Sequence, residues 1–482
     1  MKPEVDQMFL CGVNHVLFHG TCFSPADGAW PGWQFYASVE FAPQMPIWRD
    51  LPAMNAYIAR CQSVLQSGKP DNHVLVYWPV SDLWMEPAGN EVRFTVHSTE
   101  KLLKSSFGKV SQSLIAKGYA CDFISDRQLA QLRDGGGYRT LVVPECRTMP
   151  LETAQRIIEL SHGGMRVAFL GIPQDVPGLK DHDERRKALQ DLLKDVKTVP
   201  SLDESTLGVP REPMVDEGLS YIRRAVDGGH AYFIANLGSR AFDKPVALTK
   251  GRKAVALLDP LTGVEGTAAV TEGRVLLQLE PGQSIIARSF DGDAPQLPAW
   301  RYTRPAADPV PLAGTWDVTF IDGGPSLPAP RKFDKLISWT EGNDEAAKAF
   351  SGTALYRIEF DAPQSAESKD WLLDLGDVRE TARVTVNGQS LGILWSLPFR
   401  TRVGEHLKPN RNVLEIEVTN LAANRVRDLD RRKVEWRIMK EINFVNINYK
   451  PFDASNWPLA PSGLLGPVTL TPLRDTTSAA HD

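Results

Sequence analysis

The hydrophobic positions of residues 1–68 follow a helical spacing, then an extended one, then a helical one again. Residues 2–11 and 51–67 carry apolar side chains every three or four positions, which predicts two helices. Between them, residues 13–20 form a short, mostly apolar run that is typical of strands buried on both faces. A long loop rich in Gly, Pro and aromatic residues then leads to the second helix. This order indicates one repeat of a (β/α)8 barrel and a little more.

One such repeat cannot close a barrel, which needs eight strands. We therefore interpret residues 1–68 as the C-terminal remnant of a catalytic barrel whose other repeats precede Met1. Without those repeats, apolar surface is expected to be exposed at Val13, Val16, Leu17 and Phe18. At about 25 cal/mol per Å² this exposure costs several kcal/mol, so we expect the segment alone to be mobile or prone to aggregation.

Residues 69–197 alternate between extended and helical patterns. Strands are predicted over residues 73–78, 119–124, 140–144 and 165–171, and helices over about 99–117 and 151–161. This alternation predicts a small doubly wound parallel sheet. The triple glycine at residues 135–137 precedes a strand, whereas a phosphate-binding glycine loop follows one.

The rest of the chain shows strands without intervening helices. Residues 198–298 contain three apolar runs between Gly, Pro and Asp, which predict a small β-sandwich. Residues 312–473 show recurrent short strands, and Asn387-Gly388 is a strong hairpin signal. This last segment is predicted to be a jelly-roll β-sandwich. The fold class is therefore a multidomain protein of α/β and all-β units.

Composition limits the classes of binding partner and the cellular location that can be expected for this protein. The 482 residues include 54 basic and 59 acidic side chains, a net charge of −5, which disfavours nucleic acid. No run approaches about 18 apolar residues, so no membrane partner is expected. The five cysteines are scattered, which argues against a disulfide framework or a cysteine zinc site. Met1 begins no signal peptide; a periplasmic or secreted location is expected if one precedes it, and a cytoplasmic location otherwise.

Short motifs rich in Gly, Pro, His and aromatic residues recur along the chain. The most specific are Gly12-Val13-Asn14-His15, Phe18-His19-Gly20, Phe23-Ser24-Pro25, Trp30-Pro31-Gly32-Trp33, Phe35-Tyr36-Ala37-Ser38 and Trp48-Arg49-Asp50-Leu51-Pro52-Ala53. Others are residues 57–62, Tyr77-Trp78-Pro79, Asn387-Gly388, Trp395, Pro398-Phe399-Arg400 and residues 462–468. Together they resemble glycoside hydrolase family 106, the α-L-rhamnosidases, over most of the chain.

The resemblance implies a barrel with its active site at the C-terminal ends of the strands. It implies inverting hydrolysis of terminal α-L-rhamnose from plant glycans or glycosides, with a bound calcium ion. An inverting site holds a general acid and a general base about 6.5–9.5 Å apart. In the family pattern both carboxylates precede Met1, so this chain alone is expected to lack them and to be inactive.

The resemblance also names the later segments. Residues 69–197 look like the flavodoxin-like or glutamine-amidotransferase-like domain that follows the barrel in several glycosidases, and residues 198–298 like the accompanying β-sandwich. Residues 312–473 look like the galactose-binding-like jelly roll of family 2 glycosidases.

Candidate site residues lie first on the extended run. His19 would share one face with Val13, His15 and Leu17 and stand at the C-terminal end of the strand, where it could contact substrate or metal. The alternative is a hydrogen-bonded structural histidine. Asn14 and His15 lie deeper and could hydrogen-bond a catalytic carboxylate, or be satisfied buried polar residues.

The long loop supplies further candidates. Trp33 and Tyr36 could stack on the apolar faces of a sugar, or could anchor the loop. Glu40 is the only carboxylate of residues 35–46 and the one candidate in this chain for a general acid or base. Asp27 is a candidate metal ligand.

The predicted jelly roll contributes Trp395 and Arg400, which match the Trp-x-x-Pro-Phe-Arg stretch of the family 2 sugar-binding domain. They could contact sugar or serve packing. Residues 425–437 hold six basic and three acidic side chains, and these mixed signs predict a solvated face with ion pairs. Two other functions stay open, namely a non-catalytic carbohydrate-binding or scaffold protein and a β-galactosidase-like glycosidase.

Overall fold

The structure is a computed structural model that describes residues 1–19, 23–33, 41–85, 99–249, 253–293, 295–363, 370–438 and 450–476. Its α-helices there are Lys2–Leu10 (α1), Leu51–Leu65 (α2), Val80–Met85, Glu100–Lys104, Ser106–Ala116, Asp126–Gln131, Leu151–His162, His182–Leu193, Glu204–Leu207, Glu345–Ala349 and Ala423–Arg431. Short 3-10 helices are Pro46–Asp50, Asp134–Gly137, Pro213–Glu217 and Gly404–His406. No helix in this described part is long and apolar enough to cross a membrane.

The two helices predicted at the start of the chain are confirmed as α1 and α2. They pack on the outer face of an antiparallel sheet, where Phe9 of α1 meets Phe233 edge to face at 5.7 Å. The predicted strand over residues 13–20 is wrong, because described residues 13–19 form no regular secondary structure and pair with no strand. Side chains of α2 satisfy part of this backbone instead.

A four-stranded parallel sheet confirms the alternating pattern of the second segment. Its strands are Val74–Tyr77, Cys121–Ile124, Thr140–Val143 and Arg166–Phe169, and the first lies between the second and the third. Apolar clusters cover both faces. The single helix predicted over residues 99–117 is broken at Ser105, whose hydroxyl accepts the Gly108 N–H at 3.1 Å and begins a new helix.

Two antiparallel sheets share the next core. The six-stranded one contains, in order, Lys69–Pro70, Ser220–Val226, Gly229–Ala235, Ser284–Phe290, Ala254–Leu258 and Glu265–Ala268. The three-stranded one contains Val270–Thr271, Arg274–Leu279 and Phe242–Ala247. Tyr232 and Leu277 are fully buried between them. Two short helices, Glu204–Leu207 and Pro213–Glu217, precede these strands, where the pattern predicted none.

The C-terminal sheets are also antiparallel and share one core around Trp339 and Tyr356. One orders the strands Arg331–Phe333, Trp316–Gly324, Ser351–Phe360, Asn412–Thr419, Thr381–Val386 and Gln389–Leu394. The other orders Tyr302–Pro305, Thr469–Thr476, Asp370–Asp374 and Arg400–Arg402, with Val310–Pro311 beside Thr469–Thr476, and Asp377–Arg379 pairs with Gly463–Gly466. The hairpin predicted at Asn387-Gly388 is confirmed, with positive φ at both residues.

The chain is thus a mixed α/β protein with several β-sheets, as predicted. The names and boundaries of the four predicted units stay predictions.

Candidate functional site

Residues 13–19 form a segment without regular secondary structure, which two side chains of α2 hold by hydrogen bonds. Gln62 Oε1 accepts the Val16 N–H at 2.5 Å, and Gln66 Nε2 donates to the Asn14 carbonyl at 2.6 Å. Asn14 and Val16 are half-buried, whereas His15 and His19 are exposed. Both histidines are therefore accessible, although no ladder holds the segment as a strand.

The apolar surface predicted around this segment is present at three of its four positions. Val13, Leu17 and Phe18 are exposed, Leu17 by 84%. Val16 is half-buried against the cluster that α1 and α2 share, so the prediction is wrong for this residue. Phe18 packs on Phe41 with ring centroids 4.4 Å apart.

The loop after this segment places Trp33 beside Ser24. The Trp33 N–H donates to Ser24 Oγ at 2.9 Å, and its half-buried ring meets the edge of Phe23 at 6.2 Å. Phe23 is largely exposed, so an aromatic pair lies on the surface of the loop. The other two loop candidates, Tyr36 and Glu40, lie outside the described residues.

The end of the loop is clamped to the C-terminal sheets. Asp50 is buried, and its Oδ1 accepts Arg383 Nε at 2.6 Å while Thr381 donates to Oδ2. Arg49 pairs with Glu417. These contacts, more than 300 residues apart in sequence, fix the start of α2 against the C-terminal unit.

Trp395 and Arg400 are engaged within the protein. Trp395 is half-buried and packs its ring on Tyr57 of α2, with centroids 5.6 Å apart. Arg400 donates from Nε to Asp374 at 2.6 Å and pairs through Nη1 with Glu280 at 3.2 Å. Contact with sugar stays a prediction for both residues, while the described contacts are those of packing and ion pairing.

A buried polar network under Trp395 was missed from sequence. Lys2 Nζ lies 2.7 Å from Asp6 Oδ2, 2.7 Å from the Gly282 carbonyl and 3.0 Å from Ser284 Oγ. Tyr57 also donates to Asp6. Burial raises the pKa of Asp6, and Lys2 and Tyr57 oppose that rise. The four-residue spacing of Lys2 and Asp6 was a visible signal, but nothing local pointed to Ser284.

Two carboxylates of this region are committed to other groups, and a third is exposed. Asp6 and Asp50 are buried and paired, and Asp27 is exposed. Among the residues that the structure describes, no group of three or more His, Cys, Asp or Glu side chains is placed to hold a metal ion. The described residues thus show no ready-made carboxylate cluster for the calcium ion that the family resemblance implied.

The parallel sheet has a switch point in its strand order at its carboxyl edge, between strands Val74–Tyr77 and Thr140–Val143. Doubly wound sheets bind ligands where the strand order reverses, which is here. Asp82 occupies the place of a ligand at this point, because its carboxylate accepts hydrogen bonds from the N–H groups of Arg147 and Thr148 at 2.7 Å each. An incoming anion would have to displace this side chain.

Comparison with known proteins agrees with a glycosidase. The rhamnosidase from Novosphingobium sp. PP1Y superposes with a TM-score of 0.72 over 98% of this chain, at 23% identity, which shows a shared fold. A putative β-glucuronidase from Formosa agariphila is 36% identical over 184 residues, or 34% of this chain. A β-glucuronidase from Bifidobacterium dentium is 27% identical over 26% of this chain, with a TM-score of 0.20.

The chain spans only part of these proteins, namely 46% of the Novosphingobium rhamnosidase and 16% of the Formosa protein. A sequence model of the α-L-rhamnosidases matches residues 1–270, more than half of the chain and the part that holds His15, His19 and Trp33. The chain therefore belongs to glycoside hydrolase family 106, the α-L-rhamnosidases.

Proposed function

We propose that the protein acts as an inverting α-L-rhamnosidase that removes terminal rhamnose from plant glycans or glycosides. The observation that carries the proposal is the family match over residues 1–270. The fold shared with the Novosphingobium rhamnosidase supports it. A rhamnose-bearing glycan or glycoside is then the partner of the site.

The exposed side chains of His15 and His19 are proposed to border the sugar. Both side chains are exposed, and two hydrogen bonds from α2 hold the backbone that carries them. The two histidines therefore remain available to contact a ligand. Trp33, on the loop that follows, offers a flat ring for the apolar face of a pyranose. His19 donates or accepts a hydrogen bond at a sugar hydroxyl in this proposal.

The catalytic carboxylate pair is proposed to come from polypeptide outside this chain. An inverting pair needs about 6.5–9.5 Å of separation, with room for a water molecule. Asp6 and Asp50 are each tied to a cation and buried, so neither is free to act as the acid or the base. This chain alone is then expected to be inactive.

Hydrolysis of p-nitrophenyl α-L-rhamnopyranoside tests the proposal, with and without calcium, by this chain and by a form extended with the in-frame sequence upstream of Met1. We expect turnover only in the extended form. Turnover by this chain alone would contradict the proposal that the catalytic carboxylates lie outside it. No turnover of the rhamnoside by either form, with turnover of p-nitrophenyl β-D-glucuronide, would instead favour the activity named for the Formosa protein.

His19→Ala in the extended form should lower kcat/KM roughly tenfold or more, since it removes a hydrogen bond to the sugar. His162→Ala, at the exposed end of helix Leu151–His162, is the matched control and should leave kcat/KM unchanged. Equal rates for both variants would remove His19 from the site.

A further inference from the structure

The turn at residues 454–457 places a tryptophan on the surface of the C-terminal unit. The Trp457 N–H donates to the Ala454 carbonyl at 3.0 Å, which closes the turn. Its ring meets Phe452 edge to face, with centroids 5.4 Å apart, yet Trp457 stays 41% exposed. An indole held in this way offers a large apolar surface to a ligand.

Three side chains of helix Ala423–Arg431 hold this turn and the residues just after it. Arg427 Nε donates to the Trp457 carbonyl at 2.7 Å, and Asp430 Oδ2 accepts the Ala454 N–H at 2.8 Å. Asn424 exchanges two hydrogen bonds of 2.8 Å with Ala460. The backbone that carries the ring is therefore fixed before any ligand arrives, which lowers the entropy cost of binding.

The same helix, with the six residues that follow it, carries more positive than negative charge. Its two carboxylates are occupied, since Asp428 pairs with Arg425 and Arg432, and Asp430 with Arg437. The nearby exposed Asp453 accepts hydrogen bonds from Ser455. Within the described ranges, no carboxylate pairs with the remaining cations, Arg427, Arg431 and Lys433.

These two features match one class of ligand. A pyranose ring has an apolar C–H face that can lie on an indole, and a sugar carboxylate accepts paired hydrogen bonds from a guanidinium. Arg427 donates from Nε to the Trp457 carbonyl, and among the described residues its terminal N–H groups have no hydrogen-bond acceptor. The sequence candidates on the same unit, Trp395 and Arg400, are engaged by Tyr57 and Asp374.

We propose that Trp457 and Arg427 form a binding subsite for a uronic-acid residue of a glycan chain. The subsite binds and positions the glycan and takes no part in bond cleavage. It does not depend on the rhamnosidase activity proposed above, and its test measures binding alone.

Calorimetric titration of this chain with a short oligosaccharide of galacturonate is the test. We expect binding that weakens as salt rises, because the charges at the subsite are exposed. Trp457→Ala should weaken binding roughly tenfold or more, as for an aromatic residue central to an interface, and Trp457→Phe should weaken it less. Trp84→Ala is the control, since Trp84 is exposed on helix Val80–Met85 of another unit.

A second variant, Arg431→Gln with Lys433→Gln, removes charge at two exposed positions and should weaken binding several-fold with no change in Tm. Failure of the wild-type chain to bind, or equal affinity in Trp457→Ala, would overturn the proposal. Equal affinity for a neutral oligosaccharide of the same length would overturn the uronate assignment. Loss of self-association in Trp457→Ala, with no glycan binding by the wild-type chain, would assign the surface to a second copy instead.

Discussion

At the scale of single residues, Asp71 shows how a buried carboxylate stays ionised. Arg223 Nε lies 2.5 Å from Asp71 Oδ2, His73 Nε2 lies 3.1 Å from Oδ1, and His230 Nε2 lies 3.5 Å from Oδ2. Burial opposes the charge of Asp71, but these three partners outweigh it and hold the pKa below its ordinary value. The group also joins the start of the parallel sheet to strand Ser220–Val226.

Acid should therefore weaken the fold through Asp71. Its folded pKa is below the unfolded value of about 3.9, so between these two pKa values the unfolded chain binds more protons than the folded chain. The stability is present at neutral pH and is lost as the pH falls through the folded pKa. We expect the free energy of unfolding to fall less steeply between about pH 5 and pH 3 in Asp71→Asn, as measured by urea unfolding. An unchanged slope would assign the acid sensitivity to other groups.

At the scale of secondary-structure elements, the spacing of apolar residues predicted the helices and strands that depend on local sequence. Helices α1 and α2 follow from apolar spacing, and the parallel strands from short apolar runs. Residues 13–19 have the same kind of pattern, but a ladder needs a neighbouring strand, and the periodicity of one segment cannot supply that information. For the same reason the sequence placed His15 deep in a strand, although it is exposed here, and it gave no sign of the packing of Trp395 on Tyr57.

The anchoring of residues 13–19 by α2 gives a prediction at this scale. Gln62→Ala removes the acceptor of the Val16 N–H, a contact worth about 1 kcal/mol. We expect hydrogen exchange at the Val16 amide to become roughly five- to tenfold faster. Ser63→Ala, one position along the same helix and exposed, is the control and should leave that exchange rate as it is. Equal effects of both changes would mean that α2 as a whole, not Gln62, sets the rate.

At the scale of the whole molecule, the first and last parts of the chain stabilise each other. Asp50 meets Arg383 and Thr381, Arg49 meets Glu417, and Trp395 covers Tyr57. The composition and the motifs indicated the family, but not these contacts, because each joins residues that are distant in sequence. The position of the candidate sugar face thus depends on the C-terminal sheets as well as on its own segment.

Arg383→Met should destabilise the protein by about 3 kcal/mol, since it leaves the Asp50 carboxylate buried without its cation. Urea unfolding measures the loss, and limited proteolysis should cut earlier near residue 50. Arg357→Met is the matched control, because Arg357 lies on strand Ser351–Phe360 of the same sheet and pairs only at the surface with Glu359. We expect less than about 1 kcal/mol for that control. Comparable losses in the two variants would show that the contact between Asp50 and Arg383 adds nothing to the free energy of unfolding.

Asp82 is in effect a tethered ligand of the parallel sheet, since its carboxylate stands where a free anion would accept the Arg147 and Thr148 N–H groups. Removing the tether should turn an intramolecular contact into a receptor for dissolved ions. Asp82→Gly is then expected to unfold at a lower temperature and to recover as sulfate or phosphate is added, more than the wild-type protein does. A parallel rise of the unfolding temperature in both proteins would be a general salt effect. Recovery in Asp82→Gly alone would mean that a single substitution is enough to let this sheet bind anions.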